Sequence, residues 1–379
     1  MTLTLTRFSD LVHLNTSRIA DPLAAGIERF VGLEHIEPEN LHIRSWGNVA
    51  DGVTFTSHFK PGQVLFGKRR AYQRKVAVAD FEGVCSSDIY VFESKDPNKL
   101  LPELLPFICQ SEGFFEYAVK TSAGSLSPRT NWSHLANYEF PLPPVDEQRR
   151  IADLLWAADD VVSKWQDSLE SLEKLKSSAS IKLFNANDEL EWIPCDSLCK
   201  EITVGIVVTP AKYYVPKGIP ALRSLNIFPD KFALDELVYI SNEANELHSK
   251  SRLSKGDVVI IRTGRPGDAA VINSELDGCN CIDLIIARPG EQLNPSYLSR
   301  YVNSAAGRRK ITQGTAGTAQ LHFNVSQMKK MPIPLVSLER QMEIVKELDA
   351  LDEQIQQVTN HISLSQRLKT QLSAHLLKS

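Results

Sequence analysis

No apolar run in this chain approaches the roughly 18 uninterrupted residues that a membrane helix needs, although 42% of its 379 residues are hydrophobic. Its first residues, MTLTLTRFSDLVHL, lack the basic segment and apolar core of a secretory signal. A cytoplasmic chain with no membrane partner is the expectation that follows. Cysteine is scarce, and six in a chain this long make no disulfide framework. Two pairs lie close, Cys195 with Cys199 and Cys279 with Cys281, but neither has a second knuckle or histidines at zinc-site intervals. Cys279 and Cys281 fall in the apolar stretch GCNCIDLIIA, where alternate residues share a strand face, so buried thiols and no metal are expected. Net positive charge is missing too: the formal balance is −4. A chain of this balance can bind nucleic acid only if its cations are gathered locally.

What the sequence does have is a repeat. With Gly124 laid on Gly317, a shift of 193, the halves match without a gap to the C-terminus. Asn131 meets Asn324, Gln148 meets Gln341, Asp159 meets Asp352, Lys176 meets Lys369 and Leu183 meets Leu376. Upstream the match loosens. KPGQVLF from Lys60 pairs with SKGDVVI from Ser254 at a shift of 194, and GVCSSDIYVF from Gly83 pairs with GCNCIDLIIA from Gly278 at 195. The frame is shared while most residues differ, as expected of two copies with one fold and different surfaces.

The closely matched tails read as helices. Ile151, Leu155, Ala158, Val162, Trp165, Leu169, Leu172, Leu175, Ala179 and Leu183 recur in steps of three and four, the period of a coiled-coil seam. Ile344, Leu348, Leu351, Ile355, Val358, Ile362, Ser365, Leu368, Leu372 and Leu376 repeat it. Each helix, about 39 residues or roughly 58 Å long, needs a partner for its apolar stripe, and the other copy is the natural one. The second globular segment leaves the end of the first helix and feeds the start of the second, which predicts an antiparallel pair. The alternative is a coiled coil that only dimerises the chain. A pseudo-two-fold pair of readers suits duplex DNA, whose own local dyads let such pairs contact two half-sites.

Residues 1–143 and 187–335 alternate short apolar runs with Gly and Pro turns, and each reads as a mixed α/β domain. The fold class expected is α+β: two recognition domains separated by long helices over 144–186 and 336–379. In the first domain five cations and a tyrosine fall within nine residues: Lys68, Arg69, Arg70, Tyr72, Arg74 and Lys75. Such a loop can neutralise phosphates and, through arginine, read guanine edges; a solvated basic turn is the other reading. A second polar loop carries Ser125, Ser127, Arg129, Thr130 and Asn131, side-chain types that suit phosphates and base edges. Trp132 reads as a core or hinge anchor. The second domain offers Arg262, Thr263 and Arg265 in the place of the first cluster. It adds Arg308-Arg309-Lys310, Thr315, Gln320, His322 and Asn324, with Arg223 at a strand end. The glycines around Thr315 lack the Gly-Lys-Ser/Thr of a nucleotide loop.

On these residues the chain resembles the specificity subunit of type I DNA restriction–modification enzymes. FVGLEHIEPENL, GQVLFGKRRAYQRKVAVADFEGVCSSDIYVF and SAGSLSPRTNWSHLANYEFPLPPVDEQRRIADLL carry the likeness in the first half; GIPALRSLNI and KGDVVIIRTGRPGDAAVI carry it in the second. The resemblance implies that each recognition domain reads half of a bipartite target in double-stranded DNA, with the helices as a ruler. It implies two methyltransferase subunits docked on the chain, using S-adenosylmethionine to methylate adenine N6, and in some systems restriction subunits. This chain itself is expected to bind no cofactor. It contains no Asn-Pro-Pro-aromatic or Asp-Pro-Pro-aromatic motif and no Rossmann glycine loop, and its histidines and carboxylates form no catalytic constellation. Two other readings stay open: an enzyme with a diverged site, and a self-contained sequence-specific DNA-binding scaffold acting outside a restriction system.

Overall fold

The computed structural model describes residues 4–185, 191–313 and 322–377. The chain folds as two compact units, residues 1–168 with 358–379 and residues 169–357, so each long helix contributes to both.

In the first unit the strands Val12–Asn15, Ile89–Ser94, Val64–Gly67 and Val76–Val78 form an antiparallel sheet in that order. The strand Val64–Gly67 is buried along its whole length, which explains why VLFG shows no polar alternation. It starts from the turn Lys60-Pro61-Gly62-Gln63, where the Gln63 N–H donates to the Lys60 carbonyl over 3.2 Å and Gly62 has φ +86°. Proline followed by a left-handed glycine is the type II pattern, and a Cβ at Gly62 would be strained. A second sheet orders Gly47–Asn48, Arg29–Val31, Gly83–Cys85 and Ser57–Phe59, with its middle pair parallel. The core is aromatic: Phe8, Phe66, Phe92 and Phe114 contact one another, with ring centroids 4.8 Å apart for Phe8 and Phe114.

The second unit repeats the plan. Cys199–Val204, Leu284–Pro289, Val258–Ile261 and Ala269–Val271 form the first sheet in the corresponding order. Its central strand leaves a turn at Ser254-Lys255-Gly256-Asp257, with Gly256 at φ +91° and Asp257 N–H donating to the Ser254 carbonyl over 2.9 Å. The second sheet again has one parallel pair, Ile219–Leu222 beside Asn280–Cys281. Its aromatics differ, for Tyr297 and Tyr301 are buried and donate to the Pro334 and Pro332 carbonyls over 2.6 and 2.8 Å. Cys279 and Cys281 are buried, as are Cys85, Cys109 and Cys195, whereas Cys199 is half-buried.

The long helices run Val145–Asn185 and Leu338–Leu377. Asp146, Glu147 and Glu339 lie in their first turns, where the helix dipole favours acids. Within the first unit they run antiparallel: Asp159 pairs with Lys369, and six residues further on Trp165 stacks on His361 at 4.7 Å. Within the second unit Lys176 pairs with Asp352, while Leu183 and Phe184 pack with Ile344 and Leu348. One seam expectation fails in both copies. Leu175 and Leu368 are 54% and 61% exposed, and the adjoining Lys176 and Lys369 turn inward instead. A 3.6-residue helix drifts off a strict 3.5 repeat, and here the inward position faces a carboxylate that a leucine could not satisfy. Among the described residues no helix is long and apolar enough to cross a membrane.

Candidate nucleic-acid interface

The two basic loops of the first unit are built as one surface. Past Gly67 the chain leaves the buried strand, and Arg69 forms an antiparallel bridge with Arg129. Thr130 N–H donates to the Lys68 carbonyl over 3.0 Å, and Arg70 N–H donates to the Pro128 carbonyl over 2.7 Å. Arg70 and Arg74 take left-handed φ of 54° and 57° around the short helical turn Ala71–Gln73. Residues about sixty positions apart in sequence are thus clamped by backbone, leaving their side chains to vary.

One carboxylate organises the cations. Asp88 accepts from Arg129 Nε over 2.7 Å and from Arg69 Nη1 over 3.3 Å, and Arg69 Nε also donates to Ser127 Oγ over 2.6 Å. The bond from Arg129 foremost, with help from Arg69 and against partial burial, holds the Asp88 carboxyl below its ordinary pKa. Lys68 lies 4.6 Å from the Tyr90 ring centroid, and burial pulls its pKa down while Asp88 opposes. Tyr72, Ser125 and Asn131 are exposed. Three expected contacts are placed otherwise. Thr130 is fully buried; Arg74 is ion-paired to Glu39 and Glu112 over the Phe115 ring; and Lys75 Nζ donates to the Leu33 carbonyl over 2.6 Å. These three brace the loop from behind. Trp132 packs on Phe8 and Phe92, an anchor as expected.

The second unit reproduces the clamp with other side chains. Thr263 bridges His322 where Arg69 bridges Arg129, and Phe323 N–H donates to the Arg262 carbonyl over 2.9 Å. Asp283, the counterpart of Asp88, pairs with Arg262, whose Nη2 lies 3.2 Å from His322 Nε2. Thr263 and Arg265 are exposed; Arg265 lies 4.3 Å over Phe228 and donates to the Ile227 carbonyl over 2.7 Å. Arg223 donates to the Glu236 carbonyl over 2.9 Å. Asn324 is committed to its own helix, where it caps Val325–Lys330 by accepting from Gln327 N–H over 2.9 Å. Arg308 is tied to Asp268 and the Pro266 carbonyl, leaving Arg309 and Lys310 exposed. Thr315 and Gln320 lie outside the described residues. Among the described residues no group of three or more His, Cys, Asp or Glu is placed to hold a metal.

Behind each surface the helix is joined to the globular segment of the same unit by repeated polar contacts. Buried Gln148 accepts from Leu101 N–H over 2.9 Å and donates to the Lys99 and Pro143 carbonyls over 2.8 and 2.9 Å. Gln341 does the same with Asn294 N–H and the Gln292 and Val336 carbonyls. Deeper, Asp159 takes both Lys369 and His42, the ring Nε2 at 2.8 Å. Burial pushes its carboxyl up, but the hydrogen bond from His42 and the charge of Lys369 outweigh this and hold its pKa below the usual range. Its counterpart Asp352 takes Lys176 and Arg300, and Arg300 also reaches Asp230 and Asp349. The sequence matches Asp88 with Asp283 and Asp159 with Asp352 at the repeat shifts, and that signal was open to reading as paired function.

Comparison with known proteins agrees with this duplicated plan. The family model described as type I restriction modification DNA specificity domain, Methylase_S, matches residues 50–174 and 222–365. The chain is 31% identical over 172 residues to the EcoDI specificity subunit of Escherichia coli, covering 42% of this chain and 37% of that protein. It is 22% identical over 367 residues to the MjaVIII specificity subunit of Methanocaldococcus jannaschii, covering 91% and 80%. The match thus spans little more than a third of the first relative's length and most of the second's. Its fold resembles the type I restriction–modification S subunit from M. genitalium, with TM-score 0.57 at 15% identity over 100% of this chain and 96% of that one. It also resembles a chain from a structural study of complex assembly and conformational transition in the type I R-M system. There the TM-score is 0.62 at 19% identity, over 100% and 98%. With the matched stretches making up more than half of its length, one in each copy of the repeat, the chain belongs to the type I restriction modification DNA specificity family.

Proposed function

We propose that this chain is the sequence-specificity subunit of a type I restriction–modification complex, a non-catalytic reader of a bipartite target in double-stranded DNA. One observation carries the reading: the same backbone clamp and carboxylate recur in both copies, around Asp88 and Asp283, while the cations they hold differ. A shared scaffold with divergent side chains is what two readers of different half-sites require. The limits proposed are 1–143 and 187–335 for the target-recognition domains, and 144–186 and 336–379 for the connecting helices. Lys68, Arg69, Arg70, Tyr72, Ser125, Ser127, Arg129 and Asn131 would face one half-site; Arg223, Arg262, Thr263, Arg265 and His322 would face the other. Thr315 and Gln320 keep their place in the proposal by sequence position.

Two methyltransferase subunits would dock on the chain and supply S-adenosylmethionine for adenine N6 methylation, with restriction subunits adding cleavage, in the cytoplasm. The helices would set the gap. With 41 and 40 residues and about 1.5 Å per residue, each helix is roughly 60 Å long, so the gap it could measure would be at most about 18 base pairs at ~3.4 Å each. The test is adenine-methylation mapping of genomic DNA with and without the gene. A bipartite motif with a constant gap, lost on deletion, is expected; an unchanged methylome moves the chain to a self-contained DNA-binding scaffold. Purified chain alone is expected to transfer no methyl group, and transfer without partners would make it an enzyme.

A further inference from the structure

The segment that follows the first strand of the main sheet differs in chemistry between the two copies. In the first unit Val12–Asn15 is followed by Thr16-Ser17-Arg18, all exposed, with Ser17 N–H donating to Asn15 Oδ1 over 2.8 Å and Arg18 bridged to Ser57. In the second unit Cys199–Val204 is followed by Gly205-Ile206-Val207-Val208-Thr209. Gly205 and Ile206 stay bonded to the neighbouring strand: Gly205 N–H donates to the Leu284 carbonyl over 2.8 Å, and Asp283 N–H donates to the Ile206 carbonyl over 3.1 Å. Val207 and Val208 then leave the ladder, 48% and 69% exposed, before Thr209 turns at φ +44°. Ile206, which precedes them in the chain, is thus tied to Asp283, the residue that holds Arg262 beside His322.

Two valines exposed in succession on a loop, one step beyond the Ile206 carbonyl that accepts from Asp283, have no core to serve. Arg262, held by Asp283, and the exposed Arg265 give this unit positive charge to meet a polyanion, and an apolar side chain on the loop tied to Asp283 gains only where that polyanion offers an apolar group. Duplex DNA offers one in its major groove, the C5-methyl of thymine, which small apolar side chains contact. We propose that Val207 and Val208 are specificity residues that pack on a thymine methyl in the half-site read by the second recognition segment. The first segment offers hydroxyls and a guanidinium there, so its half-site has no such methyl requirement at the matching step. This rests on the reading above that the chain is a DNA-specificity subunit.

The test starts from the methylome motif of cells carrying the wild-type chain. Absence of any bipartite motif there overturns the specificity reading and this inference with it. Given a motif, each thymine in it is replaced by deoxyuridine in a duplex, which removes only the methyl, and binding by the assembled complex is measured. One position in one half is expected to lose about fourfold in affinity, the worth of a buried methyl group. The double variant Val207→Ser/Val208→Ser should abolish that sensitivity while the other half keeps its bases. If it fails to assemble, Val208→Ala alone gives the same comparison with a smaller loss. Insensitivity to uracil at every thymine, or an equal uracil effect in wild type and variant, overturns the proposal.

Discussion

In the first unit Asp159 is met by Lys369 and His42; in the second, Asp352 is met by Lys176 and Arg300. The aspartate and lysine of each group are repeat counterparts, so the duplication carried them together. The third member is not: His42 precedes the main basic loop, whereas Arg300 sits in the helix Pro295–Asn303. The helix pair is therefore the part the two copies share, and each globular segment supplies its own side chain, His42 or Arg300, with which to grip it. A buried carboxylate invites this, because any unmet charge there is costly and any nearby cation relieves it.

Breaking the carboxylate in each group should separate the two, and the first should give the largest effect of all. Asp159→Asn leaves Lys369 nearly buried without its partner and should cost about 3 kcal/mol. Asp352→Asn should cost roughly half as much, since its surroundings are more open and Arg300 keeps Asp230 and Asp349. Denaturant unfolding, with hydrogen exchange to locate the loss, measures both; equal losses would dissolve the contrast. The glutamine clamps should behave the opposite way. Gln148→Ala and Gln341→Ala each strand equivalent backbone groups, and both should cost about 2 kcal/mol. Unequal losses would mean that the two clamps are alike in geometry only.

Much of this was legible. The repeat located the helices, their antiparallel sense and the paired basic loops, because each is written in local spacing. What was not legible depends on distant partners. Leu175 and Leu368 fit an apolar period, and nothing near them in sequence says that Lys176 and Lys369 face acids on the other helix. Arg74 reads like its neighbours until Glu39 and Glu112 are seen beside it. Thr130 belongs to a polar loop by composition, yet the bond from its N–H to Lys68 carries it inside. Asn324 could be found from sequence: an asparagine three residues before Gln327 is a helix-cap pattern.

The recognition loops sharpen the comparison at smaller scale. Arg129→Ala should weaken specific DNA binding by about tenfold, the lower end of what one base or phosphate contact supplies, and flatten the salt dependence. Arg74→Ala should leave affinity and salt slope unchanged while lowering stability, since its charge is already spent on two glutamates. Titrating binding against salt for both variants decides this; a flattened slope for Arg74→Ala would return that residue to the interface.

The smallest effect expected is a difference in acid response between the two helix attachments. Asp159 has a folded pKa below its unfolded value, so its stabilisation is complete above the ordinary carboxylate range near 3.9 and fades as pH falls through the folded value. Asp352 has the same sign, with burial again overruled by Lys176 and Arg300. Asp230 has the opposite sign: burial raises its pKa despite Arg300, so ionising it opposes folding, and protonation as pH falls relieves that penalty. In the second unit the two aspartates therefore partly cancel, whereas among the described residues of the first no carboxyl with a raised pKa stands against Asp159. Hydrogen exchange of amides around residues 155–165 and 345–355, corrected for intrinsic rate, should show the first group loosening earlier between pH 5 and 3. Replacing Asp230 with asparagine should remove the cancellation and bring the second group's acid response toward that of the first; if both groups already loosen together in the wild type, Asp230 does not set a difference between them.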